Sequence, residues 1–272
     1  MKLTIEGRVA VVTGASRGVG RSIALALAAN GAWVALGARR LEELQAVERE
    51  IVASGGRGVA IPLDVSDLSS AQAFIAQTQS LLGAPTILVN NAGIFGPFSR
   101  LVSGDPQHWA SVIRINLLGA YFMARLALPS MLATGWGRIV NVSSTAGLVP
   151  PDVAESGYST TKVALNHLTR CLAVELEGSG ITANAIHPGE VVTDMTSDIL
   201  RQASFGGPEC AALGSWAEAV AQNGGDPPEK AADLVLRLLS EESASISGYF
   251  HTIEASIGPV FPAWSEPPPL PR

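Results

Sequence analysis

Seven apolar runs recur along this chain, each followed by a stretch with helical periodicity, and that alternation constrains the fold more than any other feature. The runs are RVAVVTG (8–14), AWVALGA (32–38), GVAIPLD (58–64), TILVNNAG (86–93), GRIVNVSS (137–144), ITANAIHPG (181–189) and ISGYFHTI (246–253). A sheet wetted on one face alternates apolar and polar side chains, whereas runs that are apolar throughout need cover on both faces. Between the runs lie amphipathic stretches such as Leu41–Ala53, Ala71–Leu82 and Trp109–Met131. Strand and helix in alternation predict an α/β fold, a doubly wound parallel sheet of seven strands with helices on both faces.

The 272 residues, 47% of them hydrophobic, suffice for a large core, and α/β folds of ~250 residues commonly form one domain. That domain is expected over residues 1–258. A tail over 259–272 carries prolines at 259, 262, 267, 268, 269 and 271, which excludes a helix or a central strand there. An extended tail is expected, although 268–271 also fits P-x-x-P. Only 15% of residues are charged, the net charge is −6 and no basic stripe appears, which argues against nucleic acid and anionic membranes as partners. Cys171 and Cys210 lie in no disulfide or metal-ligand spacing, so no metal site is expected, and Cys171 in LTRCLAVEL reads as a core residue. Lys2, Glu6 and Arg8 interrupt the N-terminal stretch, which lacks the apolar block of a secretory signal. Ser22–Ala38 runs 17 residues without a charge, short of the ~20 that cross a bilayer. Asn30-Gly31 divides it into helix, turn and strand, and a cytoplasmic location is the expectation.

The first strand runs into TGASRGVG, Thr13–Gly20, and then into a helix. Glycines at 14, 18 and 20 allow a tight turn and a close approach of backbone N–H groups to a pyrophosphate, which the positive end of the helix also attracts. This is the Rossmann-type arrangement. An acidic residue at the end of the second strand would hold the ribose hydroxyls of NAD. Here the strand ends in Ala38, followed by Arg39 and Arg40, with Arg17 in the glycine loop. Guanidiniums without a carboxylate suit a 2′-phosphate, so NADP(H) is favoured over NAD(H).

Further on, SGYSTTKVAL places Tyr158 four residues before Lys162 on one face of a helix. A free phenol has a pKa of about 10. A unit cation about 4 Å away at an effective dielectric near 20 is worth roughly 4 kcal/mol, enough to bring the phenol near neutrality. Lys162 is therefore expected to make Tyr158 acidic.

With these motifs in order, the chain resembles the classical short-chain dehydrogenase/reductase (SDR) family over about Gly7 to Thr252. TGASRGVG is similar to the family's T-G-x-x-x-G-x-G loop, which implies cofactor contacts from Gly14, Ser16, Arg17, Gly18, Val19 and Gly20. The segment LDV implies that Asp64 and Val65 face the adenine. NNAG implies that Asn91, Ala92 and Gly93 flank the cofactor, and HPGEVVTDM that Pro188, Gly189, Val191 and Thr193 approach the nicotinamide. The resemblance also implies a catalytic set of Asn116, Ser144, Tyr158 and Lys162. In it Ser144 and Tyr158 hold the carbonyl oxygen, Tyr158 gives the proton, Lys162 also holds the nicotinamide ribose, and Asn116 supports a helix bend and a water. A homotetramer or homodimer is implied as well. The neighbouring Ser143 is the residue with which Ser144 could be confused.

Three departures from the family pattern stand out. Ser144 and Tyr158 are 14 positions apart, one more than usual, so PPDVAES should bulge. The last strand lacks the usual paired glycines, and Glu190 stands where an apolar residue is customary. A substrate lid is expected over about 194–228, with Met195, Leu200, Phe205, Leu213 and Trp216 facing Ile94, Phe95, Phe98, Leu148 and Val149. Such an apolar pocket suits a hydrophobic small-molecule ketone or secondary alcohol. The segments before GRI and GIT lack the cations that would dock an acidic carrier, which places a 3-oxoacyl-(acyl-carrier-protein)-type reductase second. A non-catalytic NADP-binding regulatory protein is a third reading, with little need for the Asn-Ser-Tyr-Lys set. Sugar-nucleotide epimerases carry T-G-x-x-G-x-x-G, which this chain does not.

Overall fold

The structure is a computed structural model that describes residues 1–205, 207, 210–254 and 261–262. Seven strands form a parallel sheet: β1 (Val9–Thr13), β2 (Trp33–Ala38), β3 (Arg57–Pro62), β4 (Pro85–Asn90), β5 (Gly137–Val142), β6 (Ile181–His187) and β7 (Tyr249–Thr252). A two-residue β8 (Phe261–Pro262) pairs antiparallel with β7 at the edge, an addition to the seven strands expected. An edge is where a strand proline is tolerated. The rest of the proline-rich tail, including the P-x-x-P at 268–271, lies outside the described residues.

The order across the sheet is β3-β2-β1-β4-β5-β6-β7-β8. The chain winds outward from β1 to β3, then restarts on the other side of β1. The period-2 geometry of β1 shows why its run is apolar throughout: Ala10 and Val12 enter one core, Val9 and Val11 the other. The first core packs β1 and β2 against α1 (Gly18–Ala29), α2 (Leu41–Ala53) and α9 (Pro228–Leu238), through Ile23, Leu27, Leu44, Val47, Leu234 and Leu238. The second packs the opposite face against α3 (Leu68–Leu81), α5 (Gly119–Thr134) and α6 (Ser156–Glu175), through Phe74, Met123, Met131 and Leu172. Cys171 is half-buried rather than in the core, because the buried stripe of α6 runs through Leu165, Thr169 and Leu172.

Residues 22–38 divide as expected, α1 stopping at Asn30 and Gly31 turning with φ 87° into β2. The helical stretch Pro106–Thr134 is long and apolar enough to span a bilayer by length and composition. In the fold it belongs to the domain, with Met123, Ala124, Ala127 and Met131 buried in the second core. It starts at α4 (Pro106–Ile113), where Asp105 caps the Gln107 N–H at 2.8 Å and Pro106 occupies the first turn. A π-turn over Arg114–Leu118 separates α4 from α5. Two further helices, α7 (Asp194–Phe205) and α8 (Ala211–Asn223), follow β6 and pack on each other.

Candidate active site

A cleft of about 640 Å³ opens along the carboxyl ends of β1, β2, β4, β5 and β6, where the winding reverses and α/β sheets bind their ligands. Each residue expected at a cofactor lines it: Gly14, Ser16, Arg17, Gly18, Val19 and Gly20; Arg39 and Arg40; Asp64 and Val65; Asn91, Ala92 and Gly93; Pro188, Gly189, Val191 and Thr193. Ser144, Tyr158 and Lys162 line the same cleft. Asn116 lies behind it, in a small buried hollow under Ala92 and Val65.

The floor of the glycine loop is tight. A Cβ on Gly20 would lie 2.4 Å from the Gly14 carbonyl oxygen and 2.4 Å from Asn91 Nδ2, and Gly14 itself has φ 65°. Thr13 Oγ1 accepts from the N–H groups of both Asn91 and Ala92 at 3.0 Å, while Asn91 Nδ2 donates to the Thr13 carbonyl at 2.9 Å. β1 and β4 are thereby locked under the loop. Helix α1 has no side-chain cap at its N-terminus, which leaves first-turn N–H groups to meet an anion in the cleft. These residues fit the pyrophosphate of a dinucleotide. Asp64 is oriented by Ser66, whose N–H and hydroxyl donate to Asp64 Oδ1 at 2.9 and 2.6 Å.

The guanidinium cluster differs from expectation, because carboxylates are present. Arg17 pairs with Asp194 at the start of α7, and Arg40 with Glu43 in the first turn of α2. The Arg40 guanidinium, helped by the Ser16 hydroxyl, holds the Glu43 carboxyl below its usual range. Arg39 alone of the three has no ion-pair partner among the described residues. The sequence pattern could not show this, since Asp194 is remote in the chain and Glu43 reads as an ordinary helix-start acid.

Tyr158 sits half-buried with Phe95 stacked on it, ring centroids 4.5 Å apart and planes at 20°. The Ser144 hydroxyl, which accepts from the Ala146 N–H at 3.2 Å, lies near enough to the phenol to pull its pKa down. Ser143, which lines the same cleft, donates instead to Asn166 Oδ1 at 2.6 Å. Lys162 is buried, and its Nζ donates to the Val142 carbonyl at 2.9 Å and lies 5.3 Å from the Tyr158 ring centroid. Asn116 is fully engaged at the π-turn: Oδ1 accepts from the Ile94 N–H at 2.9 Å, and Nδ2 donates to the Ile94 carbonyl at 2.8 Å and to Thr161 Oγ1 at 3.1 Å.

The expected acidic phenol is corrected by this geometry. Burial pushes Tyr158 up to about 12, against the Ser144 hydroxyl, which pulls it down, and with the nearby Glu155 also raising it. Burial pushes Lys162 down to about 8. Each group loses hydration on burial, and that loss is the largest influence on both.

A model of the short chain dehydrogenase family matches residues 8–204. The chain is a short-chain dehydrogenase. It is 42% identical over 206 residues to 3-oxoacyl-[acyl-carrier-protein] reductase FabG of Staphylococcus aureus, covering 74% of this chain and 82% of that one. It is 36% identical to oxidoreductase UcpA of Salmonella typhimurium over 252 residues, 92% of this chain and 94% of the other. A variant of actinorhodin polyketide ketoreductase crystallised with NADPH superimposes with a TM-score of 0.81 at 30% identity, covering 90% of this chain and 95% of that one. The protein is an oxidoreductase of the SDR type, and its fold and glycine loop are those of a nicotinamide-dinucleotide enzyme.

Several residues of this short-chain dehydrogenase's cleft escaped the sequence reading. Asp152, Glu155, His187 and Asp194 all line it. The extra residue before Tyr158 was the signal for Glu155, and the expected bulge is real: Ala154 adopts φ 72°, the one left-handed non-glycine among the described residues. Of the expected apolar walls, Ile94, Phe95, Val149, Met195, Leu213 and Trp216 line the cleft. Phe98 instead packs edge-on against Phe95, Leu200 packs behind it, and Leu148 and Phe205 are 43% and 86% exposed. Glu190 lines the rim and accepts from Trp216 Nε1 at 2.9 Å, tying α8 to the Pro188-Gly189 turn.

Proposed function

We propose that this short-chain dehydrogenase interconverts a small hydrophobic ketone and its secondary alcohol with NADP(H). The observation that carries the reading is the meeting of Ser144, Tyr158 and Lys162 at one end of a cleft whose other end is the glycine loop. NADPH, when bound, supplies the hydride. Ser144 and Tyr158 hold the carbonyl oxygen, and Tyr158 passes its proton to that oxygen as negative charge develops there. A phenol kept protonated by burial is in the form that reduction consumes. Lys162 presents a cation beneath the ring, and Asn116 ties the π-turn to Ile94 in the loop after β4. Arg39, with Arg17 and Arg40 beside it, receives the 2′-phosphate, and the uncapped turn of α1 receives the pyrophosphate.

The domain is proposed to extend over 1–258, with α7 and α8 as the substrate lid. Gln202 on α7 supports this: it accepts from the Phe98 N–H at 3.1 Å and donates to the Gly96 carbonyl at 3.2 Å, tying α7 to the loop after β4. Leu118, Tyr121 and Leu132 on the π-turn and α5, and Val163 and Val174 on α6, stay exposed. Such apolar surface favours a homodimer or homotetramer. The reading places the enzyme in the cytoplasm.

The similarity to FabG favours a second reading, reduction of a 3-oxoacyl group on an acyl carrier protein. Oxidation of NADPH and of NADH is to be followed against a panel of free ketones and an acetoacetyl carrier protein. Turnover of free ketones with NADPH in preference to NADH is expected. Turnover of the carrier substrate alone would replace the first reading with the second, and no turnover of either would overturn both.

A further inference from the structure

We propose that Glu155 forms a cation-binding subsite beside Tyr158, so that the ketone reduced here also carries a protonated amine. This rests on the reductase reading of the cleft and narrows its substrate class.

Glu155 stands at the foot of α6, three residues before Tyr158, and is only 7% exposed while lining the cleft. Its Oε1 accepts from the Asp152 N–H at 2.9 Å, and its Oε2 has no hydrogen-bond partner among the described residues. No lysine or arginine pairs with it among the described residues. The carboxylate lines the cleft rather than being sealed in the core, and burial raises its pKa. It is also held there by the chain. The left-handed Ala154, itself buried, turns the backbone so that Glu155 faces inward, and such strain persists where the fold over-determines it.

Two further carboxylates, Asp152 and Glu190, line the same cleft. The cations are elsewhere or engaged: Arg17, Arg39 and Arg40 lie at the dinucleotide end, and Lys162 donates to Val142. Burial keeps the pKa of His187 below its usual value, which favours the neutral ring. Phe95, Val149, Met195 and Leu213 supply apolar walls. A carboxylate with an open oxygen and no ion-pair partner among the described residues, beside apolar walls, is complementary to an ammonium on a hydrophobic frame. It disfavours a substrate that carries a carboxylate or phosphate near its carbonyl.

The test compares two ketones of the same shape, N-methyl-4-piperidone and 4-methylcyclohexanone, with NADPH as reductant. The cationic ketone is expected to have the higher kcat/KM by about tenfold or more. Glu155→Gln, which keeps the size and the acceptor for the Asp152 N–H, is expected to shrink that ratio by a similar factor. Equal rates for the pair, or a ratio unmoved in the variant, would overturn the subsite. Calorimetric titration of N-methyl-4-piperidinol into the NADP-loaded enzyme reads the subsite without turnover. Binding that is lost in Glu155→Gln would keep the subsite even if neither ketone were reduced, in which case the reductase reading alone would fall. Absence of that binding in the natural sequence would overturn the subsite.

Discussion

The Phe95 ring is stacked on that of Tyr158, centroids 4.5 Å apart, and Phe95 in turn meets Phe98 edge-on at 5.0 Å. The phenol is therefore positioned by an aromatic plate from the loop after β4 as well as by its own helix. Tyr158→Phe keeps the stack and removes the hydroxyl, so dinucleotide affinity should persist while turnover falls by at least about a hundredfold. Phe95→Ala removes a nearly buried ring and should destabilise the fold by about 3–5 kcal/mol, with kcat reduced as well. Thermal unfolding and steady-state kinetics on both variants check the pair; an active Tyr158→Phe enzyme would remove the phenol from the chemistry.

Lys162 gives a pH dependence with a definite sign. Its folded pKa is lowered from 10.5 to about 8. Between those values the unfolded chain binds more protons than the folded one, so this group's contribution to stability rises with pH across that window. Activity should run the other way: ketone reduction holds level below about 8 and declines above it as the ammonium discharges. A pH–kcat profile level through the whole window would refute a role for the charge.

Cofactor choice should follow the guanidiniums. Arg39→Asp places a carboxylate where the 2′-phosphate is received, and should lower the NADPH-to-NADH preference by about tenfold or more. Glu43→Gln should act in the opposite direction, because it releases Arg40 and Ser16 from the carboxylate that now engages them. Kd values for both dinucleotides in the three proteins decide the matter, and unchanged selectivity in Arg39→Asp would refute the phosphate grip.

Ala154 should tolerate glycine and reject valine. A left-handed alanine costs roughly 1–2 kcal/mol, and glycine relieves that strain while adding about 0.5–1 kcal/mol of unfolded-chain entropy. Ala154→Gly should thus leave Tm unchanged or slightly raised. Ala154→Val, β-branched at φ 72°, should lower it clearly. Equal Tm values for the two variants would show that the turn is unstrained.

His251 on β7 is fully buried, and both ring nitrogens lack hydrogen-bond partners among the described residues. Burial, with the nearby Arg237 charge, lowers its pKa from 6.5 to about 4. Since the folded state binds its proton less readily, the contribution of the neutral ring is complete above 6.5 and is lost as pH falls through about 4. His251→Leu should flatten the acid limb of a Tm-against-pH curve without lowering Tm at neutral pH. A limb of unchanged steepness would assign the acid sensitivity to other groups.

Read residue by residue, the sequence alone determined the sheet, the winding and the glycine loop. Those follow from short-range rules: apolar runs such as 9–12 need two covered faces, Gly14 and Gly20 stand where a side chain would collide, and Asn30-Gly31 breaks a helix. It also put Tyr158 and Lys162 on one helix face, while the family resemblance supplied Ser144; all three line one cleft. Only the tertiary structure decided the electrostatics. That Arg17 meets Asp194, that Arg40 meets Glu43, that Lys162 spends its ammonium on Val142, and that Glu155 is buried with an open oxygen all depend on which groups are close and how little water reaches them. Desolvation is a property of the folded surroundings and leaves no pattern in the spacing of residues along the chain.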